Sequence, residues 1–326
     1  MTKPFTNSPV KSLWVADLLL LLVAVVWGTS YGVAKEALAY YPVMGFLAIR
    51  FCMTFLLLLP SLRQLARPEG RAALRAGLPL GFILLAILMC ETFGVVLTQA
   101  SNAAFLISLC VVFTPFVEWL VMRRRPGGSA FLVAFVSLLG TWLLTSGSNL
   151  TFNFGDGLML VAALLRALMV CMTKRLTLDK NMATLTLTAV QSGVVGIGSL
   201  IVAGVFTQGG LPALPVDSGF WLGTIYLVLF CTIFAFFAQN YGVRRTNPTR
   251  VSLLMGSEPV FGALFAALWL GEKLSTMSWI GGALIVGATL WATLPRSLFS
   301  LSWIFTARDI KPENSPIIGA GIDPGK

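Results

Sequence analysis

Histidine is absent from all 326 residues. The usual general base, the usual zinc ligand and any Ser-His-Asp hydrolase layout go with it. Neither an HExxH helix nor a phosphate-binding GxxxxGK[ST] loop occurs, so no catalytic residue, cofactor or metal is expected. Enzymes built on Ser-Lys or carboxylate pairs stay open. Charge is scarce too, at 11% Asp, Glu, Lys and Arg against about 25% in soluble domains. With 57% hydrophobic residues, a water-soluble fold of this size could not cover its apolar surface. The five cysteines, Cys52, Cys90, Cys110, Cys171 and Cys231, all lie in apolar stretches. That placement and their odd number argue against a disulfide framework, and they behave as small apolar side chains. Several apolar stretches lack alternation, which excludes a β-barrel reading for them.

What fills the chain is ten apolar stretches, at residues 14–34, 43–59, 77–98, 103–122, 129–147, 157–173, 184–206, 219–238, 251–270 and 277–294. A helix needs ~20 mostly apolar residues to cross the ~30 Å hydrocarbon layer, so the expected fold is an all-α integral membrane bundle of ten transmembrane helices. Of the 23 Lys and Arg, nineteen fall in alternate gaps or the two ends, only Lys35 and Lys273 fall in the other gaps, and Arg50 and Arg166 lie inside spans. Cytoplasmic loops carry the Lys/Arg excess. Both termini are therefore expected in the cytoplasm, in a bacterial-type inner membrane, and the net charge of +10 reflects loops rather than nucleic-acid binding. Residues 1–12 are polar and the first apolar run is full length, so that run reads as a membrane helix, not a signal peptide. Residues 296–326 read as a cytoplasmic tail, with a short interfacial helix around Trp303 followed by disorder.

The halves resemble each other. Aligning Pro115 with Pro259 sets Ser108 opposite Ser252, and the following stretches then match with Gly140 opposite Gly287. The preceding spans both close on glutamine, Gln99 and Gln239. Five spans per half is odd, so equivalent helices would cross in opposite directions. Inverted repeats of this kind underlie many secondary transporters.

Four segments carry a further likeness: WGTSYGVAKEAL from Trp27, FLAIRF from Phe46, VVFTPFVEWLV from Val111 and GSEPVFGALFAALWLGEKLS from Gly256. They resemble the EamA repeats of the drug/metabolite transporter superfamily, over about residues 14–295. The resemblance implies two inverted five-helix EamA-type repeats, at 14–147 and 155–295, around a central cavity. It also implies export or exchange of small metabolites, often amino acids. The first half departs from the pattern: Thr114 stands where the second half has Glu258, and Met122 followed by three arginines and Pro126 replaces the closing Gly271-Glu272.

Five ionisable groups lie well inside spans: Arg50, Glu91, Glu118, Arg166 and Glu258. A charge at mid-bilayer costs a few kcal/mol, so such groups face the bundle interior, pair, or lose their charge. At ~1.5 Å rise per residue, Arg50 and Glu91 fall at similar depth below one boundary, and Arg166 and Glu258 at similar depth from the other. The expected pairs are thus Arg50–Glu91 and Arg166–Glu258. Such pairs either brace the bundle or bind substrate, the arginines gripping a carboxylate or phosphate and the acids a cation or proton. Glu118 is expected to join the adjacent arginine loop. Trp27 and Tyr31, one turn apart, are candidates to line the cavity, with Gln99, Gln239 and Asn240 as vestibule candidates. Pro115 and Pro259 are expected to bend their helices and free backbone carbonyls. Gly28 with Gly32, and Gly77 with Gly81, fit close helix packing.

The function these features favour is a secondary transporter of small polar metabolites, most of all an exporter of amino acids or related zwitterions by alternating access. Its partners would be a small-molecule substrate and the lipid bilayer, with protons a candidate coupling ion. Translocation of lipid-linked or nucleotide sugars, an intramembrane enzyme and a membrane sensor are the alternatives.

Overall fold

The structure is a computed structural model that describes residues 9–98, 100–123, 127–145, 153–206, 211–269 and 274–293. The expected tail at 296–326 and Gln99 lie outside the described residues. Among the described residues there is helix and no strand. The first half holds α1 (Pro9–Tyr40), α2 (Val43–Leu58), α3 (Pro68–Leu97), α4 (Ala100–Ser108), α5 (Cys110–Met122) and α6 (Gly128–Leu144). The second holds α7 (Phe154–Thr177), α8 (Thr184–Phe206), α9 (Ser218–Val228), α10 (Ala235–Arg245), α11 (Pro248–Met255), α12 (Glu258–Trp269) and α13 (Thr276–Thr293). A 3₁₀ turn, Leu59–Ala66, follows α2, and a π-helical turn, Leu229–Phe234, joins α9 to α10. Among the described residues, seven helical stretches are long and apolar enough to cross a membrane, while Gly128–Leu144 and Thr276–Trp291 are shorter apolar helices.

Local chemistry starts these helices. Asn153 and Asp156 form a reciprocal capping box at α7. Asp217 caps α9 through the Phe220 amide, and Asn247 caps α11 ahead of Pro248 at its first position. Asp156 also accepts a hydrogen bond from Thr98, which ties the end of α3 to the start of α7.

Packing repeats between the halves. α3 lies along α7, and the α9–α10 rod lies along α1; α5 lies along α7, and α11–α12 along α1; α2 meets α8, and α6 meets α13. Exchanging the two halves maps this set of pairs onto itself. Small residues set the closest approaches, as expected where lipid gives helices no hydrophobic reason to associate. Gly77 and Gly81 of α3 lie against Val190 and Val194 of α8, and Gly140 of α6 lies against Gly281 of α13. Gly28 packs on α12, whereas among the described residues Gly32 has no neighbouring atom within 4 Å of where its Cβ would stand. The buried core runs through Phe46, Phe51, Leu187, Phe220 and Leu227. Leu18, Leu56, Phe82, Leu120, Phe135, Ile201 and Leu222 are exposed, the surface a protein presents to hydrocarbon chains.

Candidate functional site

Three interruptions of helix meet one cavity. α4 and α5 break at Leu109, α11 and α12 break at Gly256-Ser257, and the α9–α10 rod passes through its π turn. The cavity has a volume of about 660 Å³, and Cys110, Gly256 and Cys231 from the three interruptions all line it. Non-helical backbone at membrane depth is tolerated where it lines such a cavity.

At its centre Arg166 of α7 lies between two acids. Its Nη2 and Nε donate to the Glu91 carboxylate of α3 at 2.7, 2.9 and 3.2 Å. Its Nη1 donates to Glu258 Oε2 of α12 at 3.4 Å. The guanidinium carbon also stands 5.1 Å from the centre of the Trp27 ring, within cation–π range. The expected Arg166–Glu258 pair is therefore present. The expected Arg50–Glu91 pair is corrected: Glu91 binds Arg166, and Arg50 binds elsewhere. Depth counted from loop ends misled here, because Arg166 falls near the middle of α7, beyond reach of a count made from one end alone.

Arg50 turns instead to the π turn. Its Nε donates to Thr232 Oγ1 at 2.8 Å and its Nη2 to the Cys231 carbonyl at 3.4 Å. Thr232 Oγ1 in turn donates to the Leu227 carbonyl, five residues back, at 2.8 Å. The Cys231 carbonyl also accepts from Trp27 Nε1 at 3.0 Å. π-type bonding thus leaves one carbonyl available to two side chains from other helices. α1, α2 and the α9–α10 rod meet at this point. Cys231 and Thr232 were not singled out from sequence; a single inserted residue's worth of helical winding leaves no mark in composition or periodicity.

Polar ties join helices at the end of the bundle that carries the basic loops. Thr114 Oγ1 donates to Ser252 Oγ at 2.9 Å beneath the cavity. Glu118 accepts from the Thr249 amide at 2.9 Å and from its hydroxyl, so it caps α11; Arg124 and Arg125 of the loop it was expected to join lie outside the described residues. Arg250 pairs with Asp17 of α1 at 2.6 and 3.0 Å. In the other direction the cavity lining reaches Leu144, Thr145, Leu274 and Ser275, at the ends of α6 and α13 remote from those loops.

Of the remaining candidates, Trp27 and Gln239 line the cavity. Tyr31 belongs to α1, but its side chain is outside the described set. Asn240 is buried away from any vestibule and donates to Gln191 Oε1 at 2.8 Å and Thr188 Oγ1 at 3.1 Å. Pro115 lies inside α5. Pro259 sits in the first turn of α12, directly after the break at Gly256-Ser257, and not in the middle of a helix. Among the described residues, no three of Cys, Asp or Glu gather as metal ligands would.

This arrangement coincides with a family pattern. The model of the EamA-like transporter family matches residues 14–146 and again residues 153–294. The chain belongs to that family. The EamA-like chain is 30% identical over 284 residues to an uncharacterized transporter of Archaeoglobus fulgidus, spanning 86% of each. It is 30% identical over 287 residues to the uncharacterized inner membrane transporter YedA of Escherichia coli K12, spanning 86% of this chain and 91% of that one. A probable amino-acid metabolite efflux pump of Escherichia coli K12 is 25% identical over 295 residues, spanning 87% of this chain and 95% of that one. One solved crystal structure superposes with a TM-score of 0.71 at 18% identity, covering 87% of this chain and 98% of that one; it supports the fold alone. The protein is thus a multi-pass transporter of a bacterial-type inner membrane.

Proposed function

We propose that this EamA-like transporter exports small amino-acid-like zwitterions by alternating access. One observation carries the reading: a single cavity holds Arg50, anchored on a hydroxyl and a carbonyl, and Arg166, shared between two carboxylates. A guanidinium forks onto a carboxylate, and paired acids suit an ammonium group. Leu84, Ile87, Ile107, Met169 and Phe236 supply apolar wall for a side chain, and the volume falls within the ~300–1,000 Å³ of small-molecule sites. The relative named as a probable amino-acid metabolite efflux pump supports both the substrate class and the direction.

With both termini cytoplasmic, the cavity opens to the outside and the polar ties close the cytoplasmic end. Ten crossings in two inverted halves are part of this reading. Energy then comes from a solute or ion gradient, protons being a candidate. A phosphate-bearing substrate is less favoured, because Arg166 is already engaged by Glu91 and Glu258.

The test uses the purified full chain in proteoliposomes, with radiolabelled amino acids, polyamines, organic anions and nucleotide sugars, each with and without a pH gradient. Amino-acid movement supports the reading. Movement confined to nucleotide sugars would replace it.

A further inference from the structure

The three charged groups at the cavity centre are unequally shared. Glu91 takes Arg166 at 2.7 to 3.2 Å through three contacts. Glu258 takes it through Nη1 at 3.4 Å, beyond the 2.7–2.9 Å of a good charge-assisted bond. We infer that Glu258, and not Glu91, receives the ammonium group of a substrate, and that Arg166 rests on Glu258 as a tethered stand-in until that ammonium displaces it. The inference rests on the cavity being the transport site.

Charge and mechanics agree. An arriving ammonium brings a further positive charge to the two acids: Arg166 stays on Glu91, and the ammonium takes Glu258. The longer arm is the one that yields. Glu91 lies within the continuous helix α3, a rigid post. Glu258 is the first residue of α12, directly after the break at Gly256-Ser257, where a rod can hinge. The Arg166–Glu258 contact is also a link between α7 and α12, so the same exchange that seats the ammonium breaks that link. The Trp27 ring beside Arg166 offers its face to either cation. Substrates of this site therefore carry a compact cation, and a plain carboxylic acid leaves Arg166 in place.

The test measures binding of L-leucine, 3-methylbutylamine and 4-methylpentanoate to the full chain in nanodiscs, for wild type and for Glu91→Gln, Glu258→Gln and Arg166→Gln. Without ligand, Glu91→Gln should lower Tm more than Glu258→Gln, since it removes the stronger contact. Binding should reverse the order: Glu258→Gln should weaken L-leucine and 3-methylbutylamine roughly 10- to 100-fold, the range for one charge-assisted bond, and leave 4-methylpentanoate within about 3-fold. Arg166→Gln removes the stand-in and should tighten 3-methylbutylamine, an outcome that a bracing role alone does not produce. Equal losses in Glu91→Gln and Glu258→Gln, or weaker amine binding in Arg166→Gln, would overturn the assignment. Should wild type bind neither L-leucine nor 3-methylbutylamine, the zwitterion reading beneath it fails first.

Discussion

Gly28 of α1 lies so close to Gly262 of α12 that a Cβ on Gly28 would stand 2.7 Å from the Gly262 amide nitrogen and 2.8 Å from the Glu258 carbonyl oxygen. Backbone meets backbone here, one residue along from Trp27 and beside the helix that Glu258 opens. The contact fixes the distance between the two halves where the charged groups gather.

Gly28→Ala should therefore force α1 and α12 apart. Overpacking of this kind costs about 1–3 kcal/mol, read as a lower Tm in detergent together with slower transport. Gly32→Ala, on the same face but with nothing within 4 Å, should leave Tm unchanged. Equal effects at both positions would show that helix propensity, not the crossing, is being measured.

The redrawn ion pairs give a swap experiment. Arg166→Glu or Glu91→Arg alone should abolish transport, because each leaves like charges facing at a site that holds a 2.7 Å bond. The two together should restore folded protein in the membrane. Arg50→Glu with Glu91→Arg should show no such restoration, since Arg50 bonds to Thr232 and Cys231 instead.

Thr232→Val removes the acceptor from Arg50 Nε within a buried site. An unsatisfied buried donor costs about 1–3 kcal/mol, and the loosened guanidinium should raise KM for amino acids by roughly tenfold, since ~1.4 kcal/mol is tenfold, with kcat less affected. Thr232→Ser keeps the oxygen and should behave as wild type. A Thr232→Ser variant as impaired as Thr232→Val would assign the loss to packing of the methyl group.

At the basic end, Glu118→Ala deprives Thr249 of its acceptor. Loss of a helix cap costs about 0.5–2 kcal/mol, so α11 should loosen. In a chain lacking its native cysteines, a cysteine placed at Ser252 should then react faster with a membrane-impermeant thiol reagent added from the side of the basic loops. An unchanged rate would mean that other contacts, the Asp17–Arg250 pair among them, hold that end together.

The helices and the pairing of halves were legible because they rest on local chemistry. Apolar length, the alternating basic gaps and the Gly77–Gly81 stripe are each written within a few neighbouring residues. Candidate residues were legible for a related reason: a charge inside an apolar run stands out by its cost. Trp27, Arg50, Glu91, Arg166, Gln239 and Glu258 do share one cavity. Their partners were not legible. Glu118 stands beside arginines in sequence, and nothing there signalled its bond to Thr249, 131 residues away. Asp17, close to the start of its span, gave no signal that Arg250 of the other half would meet it.

By itself, then, the sequence determined the solvent, the helical rods and which side chains had to be buried, since hydropathy and charge act on each segment independently of its neighbours. Only the tertiary structure decided which acid holds which guanidinium and where a π turn turns one carbonyl towards Arg50 and Trp27. Those outcomes depend on the rotation and axial offset of helices far apart in the chain, which close packing at Gly28, Gly140 and Gly281 sets and no single segment encodes.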